Sequence, residues 1–322
     1  MVAPSGMDDT GVVELDVLPQ SGELGTFIWC LQEAASEPHS DLRRFVLSCE
    51  PTIKSRTLLW NCVATGTLES NYRMHSNWEG TFDDRNSIEK QIRFGTRGTI
   101  SRVHVTSVRS VFVDLSDPKN SLIQGDSDAV KVKVEGTNIW LSNQVLSSES
   151  PFFDAFFNGD FKEKAINSYA LDGVKLDEFI LFYGLIHEIG SVGKDSVAFL
   201  LKLADEYQSK SVTDKCIEFL RTDGGLYVSA EERLNLQRQR KLHKIPIVKT
   251  VHLAEKFKLR RFLMELLRSL SYEELMALPW AYMEAYETQL SADTRLLREL
   301  RMTCFGTDGR DHVAALPKPS VC

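Results

Sequence analysis

The spacing of the apolar residues changes a little over a third of the way along this chain. Before that point, short apolar runs separated by polar turns occupy residues 26–31, 44–48 and 58–64, and the apolar side chains between Arg102 and Leu115 mostly fall at every second position. Alternation of this kind is typical of a half-buried strand. Few of these segments show a helical period, so together they predict a β-sandwich.

A cluster of turn-forming residues over 116–121, followed closely by 125–128, indicates a boundary between domains. After it, valines alternate with charged residues from Val130 to Val134. A turn and the short apolar run 139–141 follow. This pattern predicts a β-hairpin at the start of a second domain.

Beyond the hairpin the pattern is mostly helical. Ser142 can cap a short helix, and Ser150 before Pro151 begins another, because proline is tolerated at the first helical position. The predicted core of this region consists of Leu146, Phe152, Phe153 and Phe156, with Phe157 on the same helix and Gly159 at its end. Further helices are predicted at about 176–188, 195–208 and 212–221, the last with a capping box formed by Ser211 and Asp214.

The predicted fold class is α+β. The predicted boundaries are a flexible tail over 1–10, a β-sandwich over 11–118, a mixed α/β domain over 125–222, a helical extension over 223–303 and a second flexible tail over 304–322. A length of 322 residues fits two or three domains.

One motif occurs twice. Residues 203–207 have the sequence Leu-Ala-Asp-Glu-Tyr, and residues 253–257 have Leu-Ala-Glu-Lys-Phe, at an offset of 50 residues. The match continues through a basic turn and an amphipathic helix. It predicts two similar helical hairpins, each with one apolar face that must be covered, the second extending the first as an added helical layer.

Composition and charge bear on whether the chain binds nucleic acid. A net charge of −7 argues against nucleic acid as the main partner, since phosphates require a basic surface. The segment 231–249 carries Arg238, Arg240, Lys241 and Lys244, but no aromatic residues are interleaved with them. A solvated helix or linker is therefore favoured there over a nucleic-acid site.

The expected location follows from what the sequence lacks. The start has no basic segment leading into an apolar run, which predicts no signal peptide, and no stretch approaches the length of a membrane span. Six cysteines without a C-x-x-C motif are expected to be reduced. Cytoplasm, nucleus or both are expected, with no membrane partner.

Five segments, taken in order, resemble the BTB/POZ family. They are residues 128–134, 145–157, 159–163, 171–174 with Phe179, and 203–207 with 216–220. The variant looks most like the expanded nematode-type BTB proteins, in which a MATH-type β-sandwich often precedes the BTB domain. The N-terminal match rests on Cys49 and Trp60 and on 27–29 and 78–80. It is MATH-like, with an unrelated β domain as the alternative.

The resemblance implies a homodimer, or a dimer with other BTB proteins, and recruitment of partners. Many members bind cullin-3 through a hydrophobic-x-Glu motif, which Phe161 and Glu163 match, while a neighbouring domain holds a substrate protein for ubiquitination. The alternatives are that Phe161 packs in its own core, and that the chain is an oligomerisation scaffold without cullin binding. The substrate protein is not identified by the sequence.

The chain also departs from the family. Residues 187–190, His-Glu-Ile-Gly, replace the common Tyr-x-Gly after the third helix, which leaves the geometry of that loop open. Ser142 and Asn143 replace the common His-Lys pair, which weakens a co-repressor function.

Catalysis is not expected, and no cofactor or metal is predicted. The sequence has no H-E-x-x-H, G-x-S-x-G or phosphate-loop motif. His252 and Glu255 lie at helical spacing, which the repeat explains as scaffold, and His187 lies near the end of an apolar helix. Asp83 and Asp84 are a pair of carboxylates in a predicted polar loop, and the sequence shows no partner residue that could act as a base with them.

Overall fold

The N-terminal part consists of two four-stranded sheets. The computed structural model describes residues 7–16, 20–24, 26–34, 43–70, 75–83, 92–96, 100–159, 169–223 and 246–303. The strands in this part are β1 (Met7–Asp16), β2 (Gln20–Leu24), β3 (Phe27–Ala34), β4 (Arg43–Pro51), β5 (Leu58–Ser70), β6 (His75–Asp83), β7 (Ile92–Thr96) and β8 (Ile100–Asp114). One sheet has the order β1-β8-β5-β6 and the other β2-β3-β4-β7, and all the paired strands are antiparallel.

The two sheets share one core. Trp29 comes from the second sheet, and Trp60 and Phe82 come from the first. All three side chains are at most 1% exposed and belong to the same hydrophobic cluster. The Phe82 ring meets the Trp29 ring edge-on, with the ring centroids 5.2 Å apart. The predicted β-sandwich is confirmed, because alternation along each strand sends one set of side chains into this layer.

The region after the linker begins with a three-stranded sheet. Its strands are β9 (Ala129–Val134), β10 (Thr137–Ser142) and β11 (Tyr169–Leu171), in the order β10-β9-β11. The predicted hairpin is therefore β9 and β10, with a turn in which Glu135 and Gly136 both have positive φ, 47° and 80°. β11 pairs with β9 in the parallel direction.

Helices follow. They are α1 (Asn143–Glu149), α2 (Pro151–Asn158), α3 (Leu176–Ile186), α4 (Val197–Glu206), α5 (Lys210–Asp223), α6 (Ile247–Lys256), α7 (Arg260–Ser269), α8 (Tyr272–Tyr286) and α9 (Ala292–Met302). The chain divides into two compact units, Met1–Thr213 and Asp214–Cys322, with the border inside α5. No helix among the described residues is long and apolar enough to cross a membrane.

The repeated motif folds into two hairpin turns with matching hydrogen bonds. In the first, Ser209 N donates to Ala204 O at 2.8 Å. In the second, Leu259 N donates to Ala254 O, also at 2.8 Å. Gln208 and Lys258 occupy the same place in the two turns, and both have φ of 54°. The prediction of two similar helical hairpins is confirmed.

Three local predictions differ from the structure. β1 begins at Met7, so part of the predicted flexible tail is strand. α5 begins at Lys210, so Ser211 lies inside the helix and does not form the predicted capping box with Asp214. Asp83, predicted to lie in a polar loop, is the last residue of β6 and is only 3% exposed. Asp84 lies outside the described residues.

Candidate partner-binding surface

The corner between α1 and α2 is held by two serine caps. Ser142 Oγ accepts a hydrogen bond from Val145 N at 3.1 Å, and Ser150 Oγ accepts one from Phe153 N at 3.2 Å. Each bond satisfies an N–H that has no partner within its helix. Ser150 Oγ also donates to the carbonyl oxygen of Tyr207. The start of α2 is therefore joined to the turn after α4, 57 residues further along the chain.

An aromatic cluster lies beneath α2. Phe153 is fully buried, and its ring centroid is 4.9 Å from that of Tyr207 and 6.3 Å from that of Phe179. Phe157, one turn later, is 2% exposed and meets the Tyr169 ring edge-on at 5.0 Å. Burial raises the pKa of the Tyr207 phenol, and the nearby Glu206 charge raises it further. The inner face of α2 is thus fixed in place by a buried aromatic cluster.

The outer flank of α2 is more open than the sequence predicts. Phe152 and Phe156 were expected in the core, but both are only half-buried. Their rings stack with centroids 5.5 Å apart and planes 20° from parallel. The ring centroid of Phe156 also lies 5.3 Å from that of Tyr169. The predicted core positions are therefore correct for Leu146 and Phe153. Phe152 and Phe156 instead form a stacked aromatic pair at the edge of the core, where part of each ring is exposed.

Comparison with known proteins places this region in a family. The model of the BTB/POZ domain family matches residues 123–224, which contain the β9–β11 sheet and helices α1 to α5. The chain contains a BTB/POZ domain. This agrees with the resemblance in the sequence, and the matched boundaries differ from the predicted 125–222 by two residues at each end.

Two curated relatives from Caenorhabditis elegans extend the comparison. The chain is 24% identical over 261 residues to BTB and MATH domain-containing protein 36, covering 68% of this chain and 80% of the relative. It is 31% identical over 83 residues to BTB and MATH domain-containing protein 38, covering 26% of this chain and 21% of that relative. The first alignment is much longer than the BTB/POZ domain, so the similarity extends beyond it. The BTB/POZ domain and these names support a protein-interaction adaptor.

The two residues predicted to contact cullin-3 lie outside the described residues. Phe161 and Glu163 belong to 160–168, the stretch between the C-cap of α2 at Gly159 and the start of β11 at Tyr169. Their role remains a prediction. Phe157, in the last turn of α2, is the described aromatic residue nearest to Phe161 in the sequence, and Phe156 precedes it.

Asp128 is a structural residue that sequence reasoning missed. It is 8% exposed, and its carboxylate accepts hydrogen bonds from Ser142 Oγ at 3.0 Å, Gln144 N at 2.8 Å and Gln124 N at 3.0 Å. It therefore joins the linker to the start of α1. The sequence carries no local signal for this role, because Asp128 lies among turn-forming residues and its partners are up to 16 residues away.

The histidines singled out in the sequence have structural neighbours. His187 is the C-cap of α3, and its ring centroid lies 4.5 Å from that of Tyr183. His252 Nδ1 lies 3.1 Å from the hydroxyl of Tyr282, which donates to Glu255 at 2.6 Å. In the part of the chain that the structure describes, no group of three or more His, Cys, Asp or Glu side chains is arranged to hold a metal ion.

Proposed function

We propose that this chain is a substrate adaptor whose BTB/POZ domain dimerises and recruits a cullin-3 scaffold, while the N-terminal sandwich, as a MATH-type domain, holds a substrate protein. The observation that carries the proposal is the match of the BTB/POZ family model to residues 123–224. The 24% identity over 261 residues to a protein named for both BTB and MATH domains supports the pairing of two recognition modules in one chain.

The proposed cullin contact centres on Phe161 as an apolar anchor and Glu163 as a polar contact. A large apolar side chain that fills a pocket, beside a charge-assisted hydrogen bond, is how a small interface gains affinity and orientation. Phe152 and Phe156 are only half-buried on α2, the helix that leads into this segment. They would widen an apolar contact centred on Phe161.

Calorimetry with a purified cullin-3 N-terminal fragment tests the contact. Phe161→Ala should weaken binding by about thirtyfold or more, the effect of removing about 2 kcal/mol at a central anchor. Lys162→Ala is the matched control, because a charge at the rim of an interface contributes little. Equal affinities for the wild type and Phe161→Ala would remove the site assignment. Absence of binding by the wild type would favour the alternative, an oligomerisation scaffold without cullin binding.

Self-association is tested separately. A BTB dimer is expected to be two-fold, so that one surface meets its own copy, and the first helices are the proposed contact. Sedimentation of the full chain at micromolar concentration should give a dimer. A monomer across that range would contradict this part of the proposal without affecting the cullin contact.

A further inference from the structure

One strand of the sandwich buries side chains on both of its faces. In β5, Leu58, Trp60 and Cys62 belong to the sandwich core, so the alternation of a strand sends Leu59 and Asn61 to the opposite, outer face. In a two-sheet sandwich the outer face of each sheet normally contacts solvent, so a leucine on that face is expected to be exposed. Leu59 is only 2% exposed.

The covered patch extends across three strands. Leu59 is paired in register with Val113 of β8, and Asn61 is paired with Asp83 of β6. Val113 and Asp83 are each 3% exposed, and neither belongs to the sandwich core cluster. Residues directly opposite on neighbouring strands share a face. These four residues are called the outer patch below.

The outer patch is covered by the BTB/POZ domain. A Cβ atom on Gly184 of α3 would lie only 2.7 Å from Leu59 Cδ1, so the helix approaches the sheet closely because this position has no side chain. Asn61 Nδ2 donates to the carbonyl oxygen of Ile189 at 2.6 Å. The contact therefore combines apolar packing with a hydrogen bond to the backbone of the loop after α3.

Asp83 makes the most specific contact in the patch. Its carboxylate oxygen Oδ2 accepts a hydrogen bond from Ser191 N at 3.2 Å and another from Ser191 Oγ. A carboxylate withdrawn from water is tolerated only when donors satisfy it. Here the BTB/POZ domain supplies two of the donors, so the stability of this buried charge depends on the two domains being in contact.

The loop that supplies these contacts turns sharply after α3. The turn is built around Glu188, whose φ is 60°. Ile189 N donates back to Gly184 O at 2.9 Å. This turn directs the Ile189 carbonyl and Ser191 toward the outer patch.

A second pair of contacts lies near the linker. Trp140 N of β10 donates to Leu115 O at 2.7 Å, just after β8 ends. Arg56 and Glu135 form an ion pair at 2.7 Å, but both side chains are about half exposed, and such pairs contribute little in water. The Leu115 bond restricts the path of the chain as it passes from one domain to the other.

We infer that the outer patch of the sandwich and the 184–191 segment of the BTB/POZ domain form an interdomain interface, called the joint below. This joint holds the two domains in one orientation and couples their unfolding. A short linker keeps the two surfaces at high effective concentration, so a small contact area is enough to keep the joint closed. Under the proposed function, on which this last consequence rests, a substrate held by the sandwich would be presented at a set distance and angle from the recruited scaffold.

Thermal unfolding of the full chain tests the joint, because the two domains can be followed separately. Trp29, Trp60 and Trp78 are at most 7% exposed inside the sandwich, whereas Trp140 lies in β10 and Trp280 in α8. Trp140 and Trp280 are therefore changed to Phe in every protein compared, including the wild-type reference, so that tryptophan fluorescence reports on the sandwich. Leu146→Ala destabilises the BTB/POZ domain, where this side chain is fully buried. If the domains are coupled, Leu146→Ala should lower the midpoint of the fluorescence transition by several degrees, although no residue of the sandwich has changed.

The same measurement is repeated after the joint is opened. Asp83→Ala should remove the effect of Leu146→Ala on the sandwich midpoint. The matched control Glu79→Ala removes an exposed carboxylate from the same strand and should leave the effect intact. Ser191→Ala weakens the joint from the BTB/POZ side without touching the sandwich, and Leu146→Val is the milder core variant if Leu146→Ala does not fold.

A fluorescence midpoint that Leu146→Ala and Leu146→Val leave unchanged in the otherwise wild-type chain would overturn the inference. So would an effect that persists at full size in both Asp83→Ala and Ser191→Ala. The affinity for the cullin-3 fragment is expected to be the same in the wild type and Asp83→Ala. Failure of the joint and failure of the proposed function are therefore separate results.

Discussion

The backbone N–H of Ser142 donates a hydrogen bond of 3.0 Å to the phenol oxygen of Tyr183, 41 residues further along the chain. Both residues are fully buried. Ser142 also caps α1 and donates to Asp128, so one residue joins the end of the hairpin, the first helix and α3. Burial raises the pKa of Tyr183, and the Asp128 charge adds to this, which keeps the phenol neutral over the ordinary pH range.

The first prediction concerns this hydrogen bond. Tyr183→Phe keeps the ring but leaves the Ser142 N–H buried without its acceptor, and should lower the free energy of unfolding by about 1–3 kcal/mol. Urea unfolding followed by circular dichroism measures the change. Tyr272→Phe, a hydroxyl at an exposed position, should change stability by no more than about 0.5 kcal/mol. Equal stabilities for the two variants would contradict the structural role given to Tyr183.

The second prediction concerns Gly66 in β5. A Cβ atom there would lie 1.9 Å from His104 O and 2.7 Å from the Trp78 ring, where the β5–β8 register shifts. Gly66→Ala should therefore force the Trp78 ring or strand β8 to move. Overpacking of this kind costs about 1–3 kcal/mol.

Denaturant unfolding followed by tryptophan fluorescence checks this prediction. The matched control is Gly125→Ala, because a Cβ atom on Gly125 meets nothing within 4 Å. Gly125→Ala should be neutral or slightly stabilising, since alanine restricts the unfolded chain. A Gly66→Ala variant as stable as Gly125→Ala would show that the approach of β8 to Gly66 is looser than described.

The third prediction concerns Glu255, in the second hairpin. Burial tends to raise the pKa of its carboxyl, but hydrogen bonds from Thr294, Tyr282 and Ser291 outweigh it, and the pKa lies below the ordinary value of 4.5. Because the folded pKa is the lower one, the ionised carboxylate stabilises the fold fully above the unfolded pKa. That stabilisation is lost as the pH falls through the folded pKa.

Acidification below about pH 4.5 should therefore loosen the contacts that Glu255 makes with α8 and the start of α9. Glu255→Gln should be less stable than the wild type near neutral pH and should show a flatter dependence on pH in this range. Urea unfolding at a series of pH values measures both effects. Glu284→Gln, an exposed carboxylate on α8, serves as the control and should follow the wild-type curve. A Glu255→Gln curve parallel to the wild type would refute the assignment.

Much of the fold could be predicted from the sequence because its signals are short-range. The alternation over Val130–Val134, the caps Ser142 and Ser150, and the repeated Leu-Ala motif each act within a few residues, and the structure forms each element as expected. The repeat was informative beyond its helices, since its two copies also share the unusual positive φ at Gln208 and Lys258. The Ser211 cap failed because α5 extends one residue before it, a difference that local preference does not resolve.

Only the tertiary structure decided which side chains are covered on a second face. In the sequence, Leu59 is one apolar residue in a strand, and Asp83 is a carboxylate beside another in a polar stretch. Nothing within a few residues of either one indicates that α3 and the loop after it will cover them. Asp83 and Ser191 are 108 residues apart, and they meet because the sandwich and the BTB/POZ domain bring a sheet face and a loop together. Local patterns determine strands, helices and caps, whereas burial between domains depends on the shapes of both surfaces once folded.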